Sequence, residues 1–209
     1  MQVTLINSMG DDLTAVNSAR VSFSKLSEEF SERDEKLLSY LARHRHWTPF
    51  SQIQYQVRIK IPIFVARQWF KHQIGITRNE VSRRYVDDPP EFYTPNVWRG
   101  KPENAKQGSS GTIESRTADF HYQKALQYAE FTYKHMLSKG ICAEQARMVL
   151  PQSMYTEFIE TGSLAAAARI CALRLDPHAQ EEIQHLAILF ETAIKDIAPV
   201  SWKHLMENQ

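Results

Sequence analysis

From Ile53 to Ile61 the chain alternates without a break: Ile53, Tyr55, Val57, Ile59 and Ile61 are apolar, and Gln54, Gln56, Arg58 and Lys60 between them are polar. A period of two sends successive side chains to opposite faces, so this stretch can be only a strand with one face covered. A covered strand needs a sheet and a layer packed on it, which commits the chain to a fold containing both. Pro62 suits the first turn of a helix, and IFVARQWFKHQ continues it as far as Gly75. Elsewhere the signals are helical. Asp34–His44 carries Leu37, Leu38 and Leu41 behind an acidic first turn. Ile113–Ser138 reads as a long helix ended by Lys139-Gly140, and Cys142–Leu150 as a shorter one stopped by Pro151. Ser163 can cap a helix through Leu175. Asp176 and Pro177 can open another to about Ile197, striped by Ile183, Leu186, Phe190 and Ile194. Only Asn96–Thr112, rich in Gly, Ser, Pro and Lys, reads as a mobile loop, an insertion and not a linker. The pattern is α+β, rich in helix with a small sheet.

A chain of 209 residues, 43% hydrophobic, suffices for one domain with one substantial core. Its 25 basic and 24 acidic residues leave a net charge of +1, which offers no broad field for a nucleic-acid backbone or an anionic membrane. Any anion must be bound locally. Cys142 and Cys171 are far apart and form no disulfide framework, the N-terminus shows no secretory signal, and no apolar run approaches the roughly 20 residues of a membrane span. A soluble cytoplasmic protein is expected. His44 and His46 are two apart and His178 and His185 seven apart without a third ligand, so no metal site is expected. Neither a GxGxxG nor a GxxxxGKS/T motif is present, which excludes a Rossmann or P-loop device.

The densest polar cluster is Lys71-His72-Gln73, followed by Arg78-Asn79-Glu80-Val81-Ser82-Arg83-Arg84-Tyr85. Arginine forks suit phosphate oxygens, and Asn, Ser and Glu can read a base or sugar edge, so the cluster reads either as a nucleotide site or as a solvated charged loop. Arg147, Arg169 and Arg174 lie on helices otherwise built of small and apolar residues. They face either an anionic ligand or a structural carboxylate such as Glu144, Glu160, Asp176 or Glu181. Cys171 sits among Ala, Ile and Leu as an inert core thiol, and Cys142 lies near a helix start.

With RQWFKHQ (Arg67–Gln73) and RNEVSRRY (Arg78–Tyr85) the chain resembles the flavin-dependent thymidylate synthase family. The resemblance extends through Ser18-Ala19-Arg20-Val21-Ser22-Phe23, His46-Trp47-Thr48-Pro49-Phe50, Ala146-Arg147 with Val149-Leu150-Pro151, and Arg174, Asp176 and His178-Ala179-Gln180. It implies a helix-rich α+β single domain over residues 1–209 with a small, mostly antiparallel sheet. It also implies a homotetramer with active sites between subunits, using FAD, NADPH and methylenetetrahydrofolate to convert dUMP to dTMP. Carried over by position, Gln68, Lys71, Glu80, Ser82, Arg83, Arg84, Arg147 and Arg174 would hold dUMP, with Arg174 facing the uracil. Thr48, Lys71, His72, Gln73, Glu80, Ser163 and Arg169 would contact FAD, and His46 would lie by flavin and folate.

Three features depart from the family pattern. Its Arg-His-Arg is Lys71-His72-Gln73 in this chain, the gap to Ser82 is eight residues instead of seven, and the asparagines of the late flavin-binding helix are Ser163 and Arg169. The dUMP half stays intact while the charge near the flavin is rearranged. Two alternatives keep the scaffold: a dUMP hydroxymethylase, in which water captures the transferred carbon, or a non-catalytic nucleotide- or RNA-binding relative using Arg78, Arg83 and Arg84.

Overall fold

The computed structural model describes residues 1–103 and 108–208. In chain order its elements are β1 (Gln2–Met9), α1 (Asp12–Arg20), α2 (Glu32–Arg43), β2 (Gln54–Pro62), α3 (Ile63–Trp69), β3 (Ile76–Glu80), β4 (Trp98–Gly100), β5 (Ser110–Ile113), α4 (Arg116–Ser138), α5 (Ala143–Ala146), β6 (Tyr155–Ser163), α6 (Leu164–Arg174), α7 (Glu181–Ile194) and α8 (Pro199–Glu207). Four strands form a sheet in the order β1-β2-β6-β3, and β4 pairs antiparallel with β5. Backbone bonds from Leu164 to Ile53 and from Ile63 to Met154, both 2.9 Å, mark β2 and β6 as antiparallel. The fold is α+β, and among the described residues no helix is long and apolar enough to cross a membrane.

The chain divides into two compact units: residues 1–59, 69–79 and 158–209, and residues 60–68 and 80–157. In the first, Val57 and Ile59 of β2 and Phe158 of β6 are buried, as is the run Ala165–Ala168 of α6. Phe190 of α7 meets the rings of Tyr55 and Trp69 edge-on at 5.2 and 5.1 Å. At the centre lies Glu160, fully buried, whose carboxylate accepts from Tyr55 Oη at 2.8 Å, Trp69 Nε1 at 2.8 Å and Arg78 Nε at 2.6 Å. Gly162 makes room for this arrangement, because a Cβ there would lie 2.6 Å from Tyr55 Oη. In the second unit, Tyr133 of α4, Met154 just before β6 and Val65 of α3 are buried, and Tyr122 Oη donates to the Tyr93 carbonyl at 2.6 Å.

The alternating strand forms with the expected faces, and α2 carries the expected acidic first turn behind a Ser31–Asp34 capping box. Ser163 caps α6, its Oγ accepting from Ala166 N. Several expectations are corrected. The helix after Pro62 ends at Trp69, short of Gly75, because Arg78 takes the carbonyls of Trp69 and His72. Part of the expected loop 96–112 is the β4–β5 pair, residues 104–107 lie outside the described ones, and Ile113 closes β5 so that α4 starts at Arg116 behind a Ser115 cap. Asp176 caps no helix. Its carboxylate accepts from His178 N at 2.7 Å to make a turn, and α7 begins only at Glu181.

Replacing Glu160 by alanine leaves the half-buried Arg78 guanidinium without its partner. The expected loss is about 3–5 kcal/mol of unfolding free energy, read from urea denaturation, whereas Trp69→Phe, which deletes one donor and leaves a small void but spares the ion pair, costs about 2 kcal/mol.

Candidate active site

The second unit encloses a cavity of about 980 Å³. Ser82, Arg83, Arg84 and Arg147 line it together with Glu80, Glu144 and Glu157. Arg84 Nε donates to Ser82 Oγ at 3.4 Å and its Nη1 lies 3.9 Å from the exposed Glu144 carboxylate, a loose contact that leaves the guanidinium open to a ligand. Arg147 Nε donates to the Glu144 carbonyl at 3.3 Å, and Arg83 donates to the Asp88 carbonyl; neither bond cancels a charge. Glu80 is held by Thr156 Oγ1 at 2.5 Å. Guanidinium forks beside carboxylates suit a ligand that brings an anion at one end and N–H or O–H donors at the other. A nucleotide is such a ligand.

The first unit has a second cavity, about 640 Å³, lined by Arg45, His46, Trp47, Phe50, Ser163 and Arg169 among others. Gly75 lies on its wall at φ +75°, a conformation that favours glycine, with Ala166 only 3.4 Å from where a Cβ would stand. Arg169 is anchored by its bond to the Ile74 carbonyl at 2.9 Å. Two cations beside aromatic and aliphatic walls fit a flat ring system that carries a diphosphate, which is the chemistry of a flavin dinucleotide.

Outside either cavity, but within the first unit, Arg174 Nε donates to His72 Nε2 at 2.9 Å. The acceptor nitrogen must be bare, so the imidazole carries its proton on Nδ1. Burial, then the Arg174, Arg78 and Arg169 charges, push the His72 pKa down to about 4, and burial also lowers that of Arg174. His72 is therefore a neutral acceptor that aims a cation.

Of the residues assigned from the sequence, Glu80, Ser82, Arg83, Arg84 and Arg147 converge on one cavity. His46, Ser163 and Arg169 share another, although the buried Ser163 hydroxyl is already spent on capping α6. Thr48 lines a third cavity of the first unit, Lys71 and Gln73 are exposed, and Gln68 is half-buried on α3. Arg78, read as a ligand-binding cation, is instead the structural partner of Glu160. Cys171 is buried with its thiol pKa pushed up, and Cys142 is exposed. Lys60, which lines the 980 Å³ cavity and pairs with Glu91, and Arg45 of the 640 Å³ cavity carried no sequence assignment. Lys60 was visible as an outward position of the alternating strand, and Arg45 only as a non-glycine where a helix exit favours glycine.

An α+β chain with a guanidinium-lined nucleotide cavity and a separate cavity for a flat dinucleotide has the makings of a flavoprotein acting on nucleotides. The sequence model of the thymidylate synthase complementing protein family matches residues 4–200, and the chain belongs to that family. It is 39% identical over 210 residues to a flavin-dependent thymidylate synthase of Thermus thermophilus, covering 99% of this chain and 77% of that one. To the Thermosipho africanus flavin-dependent thymidylate synthase it is 38% identical, over 97% and 90% of the two chains. The crystal structure of the UMP/dUMP methylase PolB from Streptomyces cacaoi, bound with 5-Br dUMP, aligns with a TM-score of 0.88 at 29% identity, covering 99% of this chain and 94% of that one.

Below the ordinary imidazole pKa near 6.5 the unfolded chain takes up a proton that folded His72 refuses, so stability should fall as pH drops from about 6.5 to about 4 and level off beneath. An NMR titration should place the His72 midpoint about 4, and His72→Gln should flatten that part of the stability profile.

Proposed function

We propose that this chain is a flavin-dependent thymidylate synthase that methylates dUMP to dTMP, with methylenetetrahydrofolate as carbon donor and NADPH as reductant. The observation that carries the reading is the convergence of Arg83, Arg84, Arg147, Ser82 and Glu80 on one nucleotide-sized cavity. The arginines and Ser82 take the phosphate of dUMP, and the Glu80 carboxylate, fixed by Thr156, accepts from ribose or ring donors. Arg174 stabilises the negative charge that develops on the uracil oxygen as C5 becomes nucleophilic, and His72 holds its guanidinium in one orientation. By the family assignment Arg169, Thr48, Lys71, His72, Gln73, Glu80 and Ser163 would contact FAD, with His46 beside it. When bound and reduced, it supplies the hydride that completes the methyl group. The residues need supply no nucleophilic thiol, in keeping with the buried Cys171.

The active form is a homotetramer with sites at subunit interfaces. In support, α4 leaves Phe120, Tyr128 and Phe131 exposed, with Tyr128 and Phe131 at 72% and 64%, more apolar surface than an isolated helix face normally shows water. Sedimentation should give the mass of four 24.2 kDa chains.

Mass spectrometry of the nucleotide formed from dUMP, methylenetetrahydrofolate, FAD and NADPH tests the reaction. A methylated product is expected. A hydroxymethyl product would mean that Gln73, standing where the family carries a cation, redirects the last step, and absence of any product would sink the enzymatic reading. Arg147→Ala removes a charged contact of about 1.5–3 kcal/mol, so KM for dUMP should rise roughly ten- to a hundredfold.

A further inference from the structure

Arg78 makes more bonds than its charge requires. Its Nε donates to the Glu160 carboxylate at 2.6 Å, and that contact alone gives the buried acid a cationic partner. Its Nη1 donates to the His72 carbonyl at 2.6 Å, its Nη2 reaches the Trp69 carbonyl at 3.5 Å, and its plane lies 5.2 Å over the Phe70 ring. A lysine could bring the same charge to Glu160. Only a guanidinium, with five N–H groups fixed in one plane, can meet an acid and two carbonyls at once. The stretch that contains Arg78, residues 74–81, is also the one whose length departs from the family pattern by one residue.

The carbonyls that Arg78 takes belong to the end of α3 and the turn after it. Residues 70–75 are neither helix nor strand, and Lys71, Gln73 and Ile74 within them are exposed. The backbone closes this turn with bonds from His72 N to Trp69 O at 3.1 Å and from Ile76 N to Gln73 O at 3.2 Å. Such a segment does not by itself hold a side chain to one direction. Yet His72 on this turn is the acceptor for Arg174 Nε at 2.9 Å. The charged groups around its ring are Arg174 and Arg169 of α6 and Arg78 of β3, and burial together with these charges keeps the imidazole neutral. Arg78 thus fixes the backbone of the residue on which Arg174 rests, although it lines none of the three cavities.

We propose that Arg78, anchored by Glu160, is a positioning residue for Arg174 and acts through the His72 turn. The inference rests on the thymidylate synthase reading for what Arg174 then meets, the uracil ring. A donor stabilises charge that develops during reaction only if it is already in place, so a small error in the aim of Arg174 slows turnover more than it weakens binding. The phosphate end of dUMP is assigned to Arg83, Arg84 and Arg147, which bond elsewhere and do not depend on this line.

The test compares Arg78→Lys, which keeps the charge and loses the fork, with Leu186→Ala, which destabilises the same unit from the buried face of α7. Nitrogen-15 NMR of the imidazole needs no turnover. In the wild type and in Leu186→Ala the His72 ring should hold one tautomer, protonated on Nδ1, and in Arg78→Lys it should relax to a mixture. The kcat for dUMP methylation should fall roughly ten- to a hundredfold in Arg78→Lys with KM for dUMP nearly unchanged, and should persist in Leu186→Ala. Glu160→Gln weakens the anchor without touching the turn and should move tautomer and kcat in the same direction, so the test does not hang on the lysine variant folding. A single tautomer retained in both Arg78→Lys and Glu160→Gln, or an equal loss of kcat in Leu186→Ala, would overturn the proposal. If the wild type makes dTMP and Arg78→Lys does so at undiminished kcat, this inference falls alone. If the tautomer is freed but the wild type never yields a methylated nucleotide, the positioning stands and it is the function that is wrong.

Discussion

The first unit depends on one buried carboxylate. Glu160 accepts from a strand tyrosine, a helix-end tryptophan and an arginine of β3, so one charge ties together segments up to 105 residues apart in the chain. A carboxylate in such a place is tolerated only because its oxygens are fully engaged and one donor is cationic. The network does not stop at the core. Arg78 spends its remaining N–H groups on the carbonyls of His72 and Trp69 and stacks 5.2 Å over Phe70, which fixes the turn carrying His72. His72 in turn receives Arg174. A line of bonds therefore runs from a buried acid to a half-exposed cation, and the aim of that cation is set by the core.

Charge is distributed on the opposite principle at the cavities. Inside the first unit a cation meets an acid at short range, as with Arg78 and Glu160 or Arg20 and Asp34. At the cavities Arg169 is held by the Ile74 carbonyl and Arg147 by the Glu144 carbonyl, and outside them Arg174 rests on an uncharged imidazole. A neutral acceptor orients a guanidinium without cancelling its charge. A net charge near zero is thus compatible with local clusters of uncancelled positive charge.

How much of this was legible follows from what each segment hides. β2 could be read because its two faces differ in polarity at every step. Its neighbour β6 has the same alternation of burial, yet its covered positions are Thr156, Phe158, Glu160 and Gly162, so a polar side chain and a missing one mask the period. The start of α7 was misplaced because Asp176 with Pro177 imitates a helix cap while closing a turn on His178. The cluster in RNEVSRRY was recognisable by composition, and Glu80, Ser82, Arg83 and Arg84 do meet around one cavity. Arg78, of the same composition, serves the core instead, since only a three-dimensional contact with Glu160 distinguishes it.

Gly162 and Arg45, a turn residue at φ +57°, lie at opposite extremes of one choice. The first gives up a side chain so that a tyrosine can reach the core acid; the second keeps one where the backbone would prefer none. The wall around Arg45, His46 and Trp47 belongs to two cavities at once. Any occupant that repositions this wall changes the other chamber, and by linkage each occupant alters the affinity of its neighbour by the same factor. Two occupants that each move this partition form a single coupled system, in which the order of filling can vary while the joint free energy of the filled state cannot.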